Sequence, residues 1–167
     1  MNAEQGIDTE ETQPSGRVYM AFGKIVWLHK GEVLCEIEVK DIQLVGEYTT
    51  DEGPVINDWF LVFILSEDNV MQIPLYVNGR EAMLQYLSQF LGAEVAPRLV
   101  GSAGCATTLL WPPEVAGKPM WDLEELAPVT FGEKLKALVG LGKPTRIHLT
   151  PDALSVLGSA TRSPRVG

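Results

Sequence analysis

Seven consecutive apolar residues, Trp59-Phe60-Leu61-Val62-Phe63-Ile64-Leu65, restrict this chain more than any other stretch of its sequence. Aromatic and β-branched side chains dominate the run and polar residues bound it, the pattern of a strand with no solvent face. Such a strand belongs in the middle of a sheet. Ser66-Glu67-Asp68-Asn69 then supplies side chains that hydrogen-bond locally and favour a turn, and Val70 to Leu75 resumes an extended pattern. Pro74 has no N–H for a ladder, which puts that end of the second strand at an edge or at its exit. Asn78 and Glu81 have capping-box spacing ahead of an apolar stripe of Met83, Leu84, Leu87, Phe90 and Leu91, and Gly92 provides a stop. A helix of about twelve residues is marginal alone in water, so this one is expected to lie across the sheet.

Upstream, Arg17 to Phe22 and Lys24 to His29 read as extended, with Gly23 a bend or bulge in one longer strand. Lys30-Gly31 is a tight-turn signal. Glu32 to Lys40 alternates Val33, Cys35, Ile37 and Val39 against Glu32, Glu36, Glu38 and Lys40, which gives a strand with one wet face. Cys35 falls in the apolar register, where a buried structural thiol is expected. Asp41 to Tyr48 continues with Ile42 and Leu44 on one side. Links this short cannot carry parallel crossovers. The expected fold class is therefore α+β: a mostly antiparallel bent sheet or partial β-barrel closed by an amphipathic helix, followed by a short irregular α/β C-terminal extension. Residues 1–16 read as a disordered acidic tail and 17–92 as the β-rich domain with its closing helix. Residues 93–158 read as a loop-rich extension with two short helices, and 159–167 as a second disordered tail.

The order of these elements resembles the pleckstrin-homology-like family, in which a bent sheet or partial barrel is plugged at one end by an amphipathic helix. The resemblance covers residues 17–92 and is carried by the hairpin Lys24 to Lys40, the strand pair Trp59 to Leu75 and the helix Arg80 to Leu91. It implies a binding module, for phosphoinositides through basic residues of the first strand loop or for peptides along a sheet edge. The hairpin here sets Lys24, His29, Lys30 and Lys40 among Glu32, Glu36 and Glu38. Without a basic cluster, protein contact is the stronger implication.

The formal charge of −9 argues against an electrostatic grip on nucleic acid or on an anionic membrane, both of which need clustered Lys and Arg. The partners expected are another protein or a second copy in a homo-oligomer, with no nucleic acid and no membrane contact. Cys35 and Cys105 have only His29 and His148 as imidazole companions and no zinc-site spacing. No cofactor is expected. The first residues lack the pattern of a signal peptide, and no apolar run approaches the length of a spanning helix, so cytoplasmic residence with reduced thiols is the expectation.

Beyond Gly92 the periodic runs are short. Gly101-Ser102-Ala103-Gly104-Cys105 puts a thiol beside small residues that admit close backbone approach, but it is neither a G-x-S-x-G elbow nor a P-loop. It reads as a small-residue loop. Cys105, His148 and Asp152 form the single nucleophile, base and orienter set available. His148 falls in a short strand, Arg146 to Leu149, and Asp152 in a helix with Thr150 as N-cap and Pro151 at N1 that Gly158 stops. Thr130 and Glu133 repeat the capping-box spacing ahead of another short helix. Asp51, Glu52 and Asp58 sit in the loop before Trp59 without the spacing of a calcium loop, so a solvated loop is favoured over a metal site.

Trp111 and Trp121, flanking a Pro-rich stretch, either present a contact surface or fold back over the sheet, and the second is favoured. Pro74, Lys24 and Lys30 complete the candidate partner contacts. By elimination, the expected function is a non-catalytic protein-interaction or assembly module. A small-molecule or lipid-binding β-barrel is the alternative, and a thiol-dependent enzyme using Cys105 is the third reading.

Overall fold

The computed structural model describes residues 15–50, 57–102, 104–121 and 149–160. Asp51, Glu52, the helix expected after Thr130, His148 and the outer parts of both tails lie outside these residues.

Two antiparallel sheets and two helices give the described chain an α+β fold. β1 (Arg17–Ala21), β2 (Lys24–His29) and β3 (Glu32–Glu38) form a three-stranded meander. A 3-10 turn, Val39–Asp41, leads into the second sheet. That sheet contains β4 (Leu44–Thr49), β5 (Trp59–Ser66), β6 (Asn69–Pro74) and β7 (Ala106–Trp111), in the order β6-β5-β4-β7. α1 (Arg80–Leu91) follows β6, and α2 (Pro151–Ala160) comes last. Among the described residues no strand pairing joins the two sheets, so they do not close into a barrel.

β5 lies between β4 and β6, as its unbroken apolar run requires. Alternate side chains serve two different cores. Trp59, Leu61 and Phe63 pack in one cluster with Ile25 and Ile37 of the first sheet and Met83 and Leu87 of α1. Val62 and Ile64 belong to a second cluster with Met120, Trp121, Ala153 and Leu157. The four-stranded sheet is thus covered by the first sheet and α1 on one face, and by the turn around Val115 to Trp121 and α2 on the other. β4 is buried along its whole length for the same reason. Gly46 leaves room for the second layer: a Cβ there would meet Met120 Sδ at 2.5 Å and the Thr108 carbonyl oxygen at 3.0 Å.

Several local readings change. Gly23 is not a bend in one long strand: Ala21 pairs with Lys24, and Phe22-Gly23 forms a two-residue hairpin turn with φ of 52° and 78°. The capping box before α1 does not form. Gly79, at φ 88°, is the N-cap without a side-chain bond, and the Glu81 carboxylate instead accepts from Arg80 at 2.6 Å. Gly92 ends the helix in the left-handed conformation expected of it. Ser15, assigned by sequence to the N-terminal tail, is buried and accepts the Trp27 indole N–H on its carbonyl at 2.8 Å.

Part of the loop-rich extension is also a strand, because β7 pairs antiparallel with β4. α2 begins at Pro151 after Thr150, as its sequence indicates, but runs past Gly158 to Ala160. Thr150 Oγ1 donates to the Pro119 carbonyl at 2.8 Å and accepts from the Ala153 N–H at 3.4 Å. Thr150→Ala is expected to lower stability by about 1 kcal/mol in a urea titration, the usual worth of such a cap.

Candidate functional site

Cys105 is exposed just before β7, and Asp152 is engaged by Lys118 Nζ at 2.7 Å. His148 lies outside the described residues. Asp58 accepts the Tyr76 hydroxyl at 2.7 Å, a bond that pushes the Tyr76 phenol up from its ordinary value. Among the described residues no group of three or more His, Cys, Asp or Glu could hold a metal ion.

Trp111, the last residue of β7, and Trp121 are 8% and 2% exposed, packed into the inner and the outer core cluster respectively. Pro74 is buried at the end of β6, opposite Phe60. Lys24 pairs with Glu36 and with Glu38, the latter at 3.1 Å, and these two carboxylates, Glu36 foremost, raise its pKa. Lys30 occupies the exposed β2–β3 turn at φ 50°.

Cys35 is buried, with its Sγ 3.7 Å from Met71 Sδ. Burial pushes its thiol up to about 11. From the free-cysteine value of about 8.5 up to that point, the unfolded chain gives up a proton that the folded chain keeps. Stability therefore falls as pH rises through this window. Cys35→Ala is expected to flatten the slope of unfolding free energy against pH there, whatever its effect on the level. An unchanged slope would place the ionisation elsewhere.

A buried carboxylate that the sequence did not reveal sits on β4. Glu47 has no exposed surface. Its Oε2 accepts the Trp59 indole N–H at 2.8 Å, and its Oε1 accepts the backbone N–H groups of Arg98 at 2.5 Å and Leu99 at 3.1 Å. A buried carboxylate is tolerable only when N–H donors replace the water it has lost. These three tie the connection between α1 and β7 to the inner face of the sheet. The role is structural, and the one sequence signal for it is that Glu47 shares strand parity with Val45 and Thr49 on a buried strand.

Among the described residues, the sheet edges are the surface whose chemistry is unresolved inside the molecule. An open edge presents unpaired N–H and C=O groups to other chains unless charges, proline, bulges or covering segments guard it. β3 carries Glu32, Glu36 and Glu38, and its pairing with β2 skips Leu34, where the register shifts between Trp27 and Leu28. β6 ends on Pro74. In β7, Leu109 donates to the Lys118 carbonyl and accepts from the Gly117 N–H, both at 2.7 Å.

Among the described residues, β1 is bonded at its start by the segment leading into α1, and α1 packs against it. There Val18 N–H donates to the Asn78 carbonyl at 2.8 Å, and Asn78 N–H donates to the Gly16 carbonyl at 3.0 Å. Outward-facing backbone groups recur every second residue, so Met20 directs its N–H and C=O the same way as Val18. No charge and no proline occurs from Val18 to Gly23. Tyr19 is 40% exposed, and the strand runs out into Phe22, which is fully exposed.

Phe22 carries two costs at once. A residue with a Cβ in the left-handed region is disfavoured by roughly 1–2 kcal/mol. An exposed ring also forgoes the burial that would offset its hydration. A bulky residue held this way at a strand end is the kind of outlier from which a contact role is inferred.

No protein-family model, curated protein or solved structure matches this chain. Among the described residues no helix is long and apolar enough to cross a membrane.

Proposed function

We propose that this protein is a non-catalytic interaction or assembly module of the cytoplasm that takes a protein partner along the β1 edge, with Phe22 as the anchor. In this reading the two sheets act as a partial barrel plugged by α1, the pleckstrin-homology-like arrangement, and the binding element is an edge rather than a basic lipid pocket. The carrying observation is Phe22, fully exposed and at φ 52° in the turn after a strand whose one charged residue, Arg17, stands at the opposite end. Aromatic anchors of this kind concentrate interface energy. Strand addition supplies the backbone bonds that an open edge lacks.

Two measurements test this. A photo-crosslinking phenylalanine analogue at position 22 is expected to give a discrete protein adduct in an extract of the source cells, and its absence overturns the proposal. Phe22→Asn places a residue suited to the left-handed turn before Gly23 and removes no buried contact. It is therefore expected to raise stability by about 0.5–1 kcal/mol while abolishing the adducts that a crosslinker at Tyr19 forms. A variant that is stabilised and still captures the partner would remove Phe22 from the role.

A further inference from the structure

We infer that Ser15 to Val18 form a strap that couples the start of α1 to the start of β5, so that the two loosen together. This coupling is independent of whether β1 takes a partner. Three elements meet on these few residues. The Ser15 hydroxyl donates to Asn57 Oδ1 at 2.6 Å, two residues ahead of β5, and the Ser15 carbonyl accepts the indole N–H of Trp27 in β2. The Gly16 carbonyl accepts the Asn78 N–H and the Val18 N–H donates to the Asn78 carbonyl, which pairs Arg17 with Asn78 in an isolated parallel bridge. One residue further on, Gly79 is the N-cap of α1, and its carbonyl accepts the Met83 N–H at 3.0 Å.

The strap has one seat. Ser15 is 2% exposed, and Gly16 sits at φ 76° with the Leu28 carbonyl of β2 where a Cβ would stand, so the backbone lies flush against β2. Its bonds are nevertheless few. A short segment held by a handful of bonds opens at a lower free energy than the ladders it touches. Coupling between two places is reciprocal, so a bond lost at Asn57 weakens the hold on Asn78, and the reverse. A second route joins the same two places: the Tyr76 hydroxyl donates to Asp58, the neighbour of Asn57, and Tyr76 stands two residues before Asn78. The Ser15 hydroxyl belongs to the strap alone, which makes it the residue that tells the routes apart. The strap makes the residues before β5 and the seat of α1 over the inner core one responsive unit.

Amide hydrogen exchange of the full chain, followed residue by residue by NMR, tests the coupling. In the unaltered chain Asn78 and Met83 are expected to be less protected than the ladder-bonded amides of β5, the mark of an opening short of global unfolding. Asn57→Ala removes the acceptor of the Ser15 hydroxyl at the β5 end, and Ser15→Ala removes the donor. Each is expected to speed exchange at Asn78 and Met83 about fivefold, the worth of one hydrogen bond, and the double variant to go no further. Leu154 of α2, whose N–H donates to Thr150 outside the strap, is expected to keep its rate in all three. Asn78 and Met83 unmoved by both variants, or as protected as β5 in the unaltered chain, would overturn the strap. An effect of Asn57→Ala that Ser15→Ala does not share would overturn it too, by assigning the coupling to Asp58 and Tyr76.

Discussion

Glu47→Ala is expected to cost about 3–5 kcal/mol, a large part of the stability of an ordinary domain. Truncation leaves the Trp59 indole N–H and the backbone N–H groups of Arg98 and Leu99 without an acceptor, at a site from which Glu47 itself shows no exposed surface. Each buried orphaned donor costs about 1–3 kcal/mol, and relief from burying a carboxylate returns only part of that. Glu47→Gln is the more discriminating variant. Its amide keeps one oxygen for either the two backbone groups or the indole and turns an NH2 donor toward the other, so a loss of about 1–3 kcal/mol is expected. Urea titration measures both losses, and faster amide exchange at Arg98 and Leu99 locates them. An unchanged midpoint for both variants would mean that the carboxylate does not hold this connection.

Gly79→Ala is expected to cost about 2–4 kcal/mol, for two additive reasons. Its φ of 88° lies in the left-handed half of the map, and the added Cβ would run into the Val18 carbonyl oxygen, a backbone atom that cannot step aside. Gly92→Ala is the control. It too has positive φ, 69°, but nothing stands within 4 Å of the place its new methyl group would take, so only the conformational cost of about 1 kcal/mol remains. Thermal or urea unfolding of the two variants side by side separates steric clash from dihedral preference. Equal losses would show that the contact with β1 contributes nothing.

Elements whose signal lies in composition could be read directly from the chain. The apolar run from Trp59 to Leu65 is a central strand because seven side chains without a polar member need cover on two faces, and the fold supplies two cores to cover them. The buried Cys35 and the start of α2 at Thr150-Pro151 followed equally local rules. Elements decided by tertiary competition were not legible. Phe22-Gly23 is a hairpin turn although phenylalanine is a poor turn residue, because the pairing of β1 with β2 fixes it there. Asn78 has capping-box spacing, yet its backbone is drawn to β1 and Gly79 takes the N-cap.

The position of β1 at a sheet edge was hidden for a related reason. An open edge is defined by what the other three edges possess, so it emerges only when the strand order is known. Glu47 was hidden because its shared parity with Val45 and Thr49 signals burial only once β4 is known to be covered on both faces.

The double covering of β4 bears on how the molecule comes apart. Glu47 and Tyr48 are adjacent, yet one holds the inner layer through Trp59, while the other stacks on Phe60 with ring centroids 4.9 Å apart and lies 5.3 Å from the Trp121 ring. The backbone between them is a hinge pin common to both layers. Loosening either layer exposes the same strand, so the two apolar clusters are bound to melt together in one cooperative event rather than in sequence.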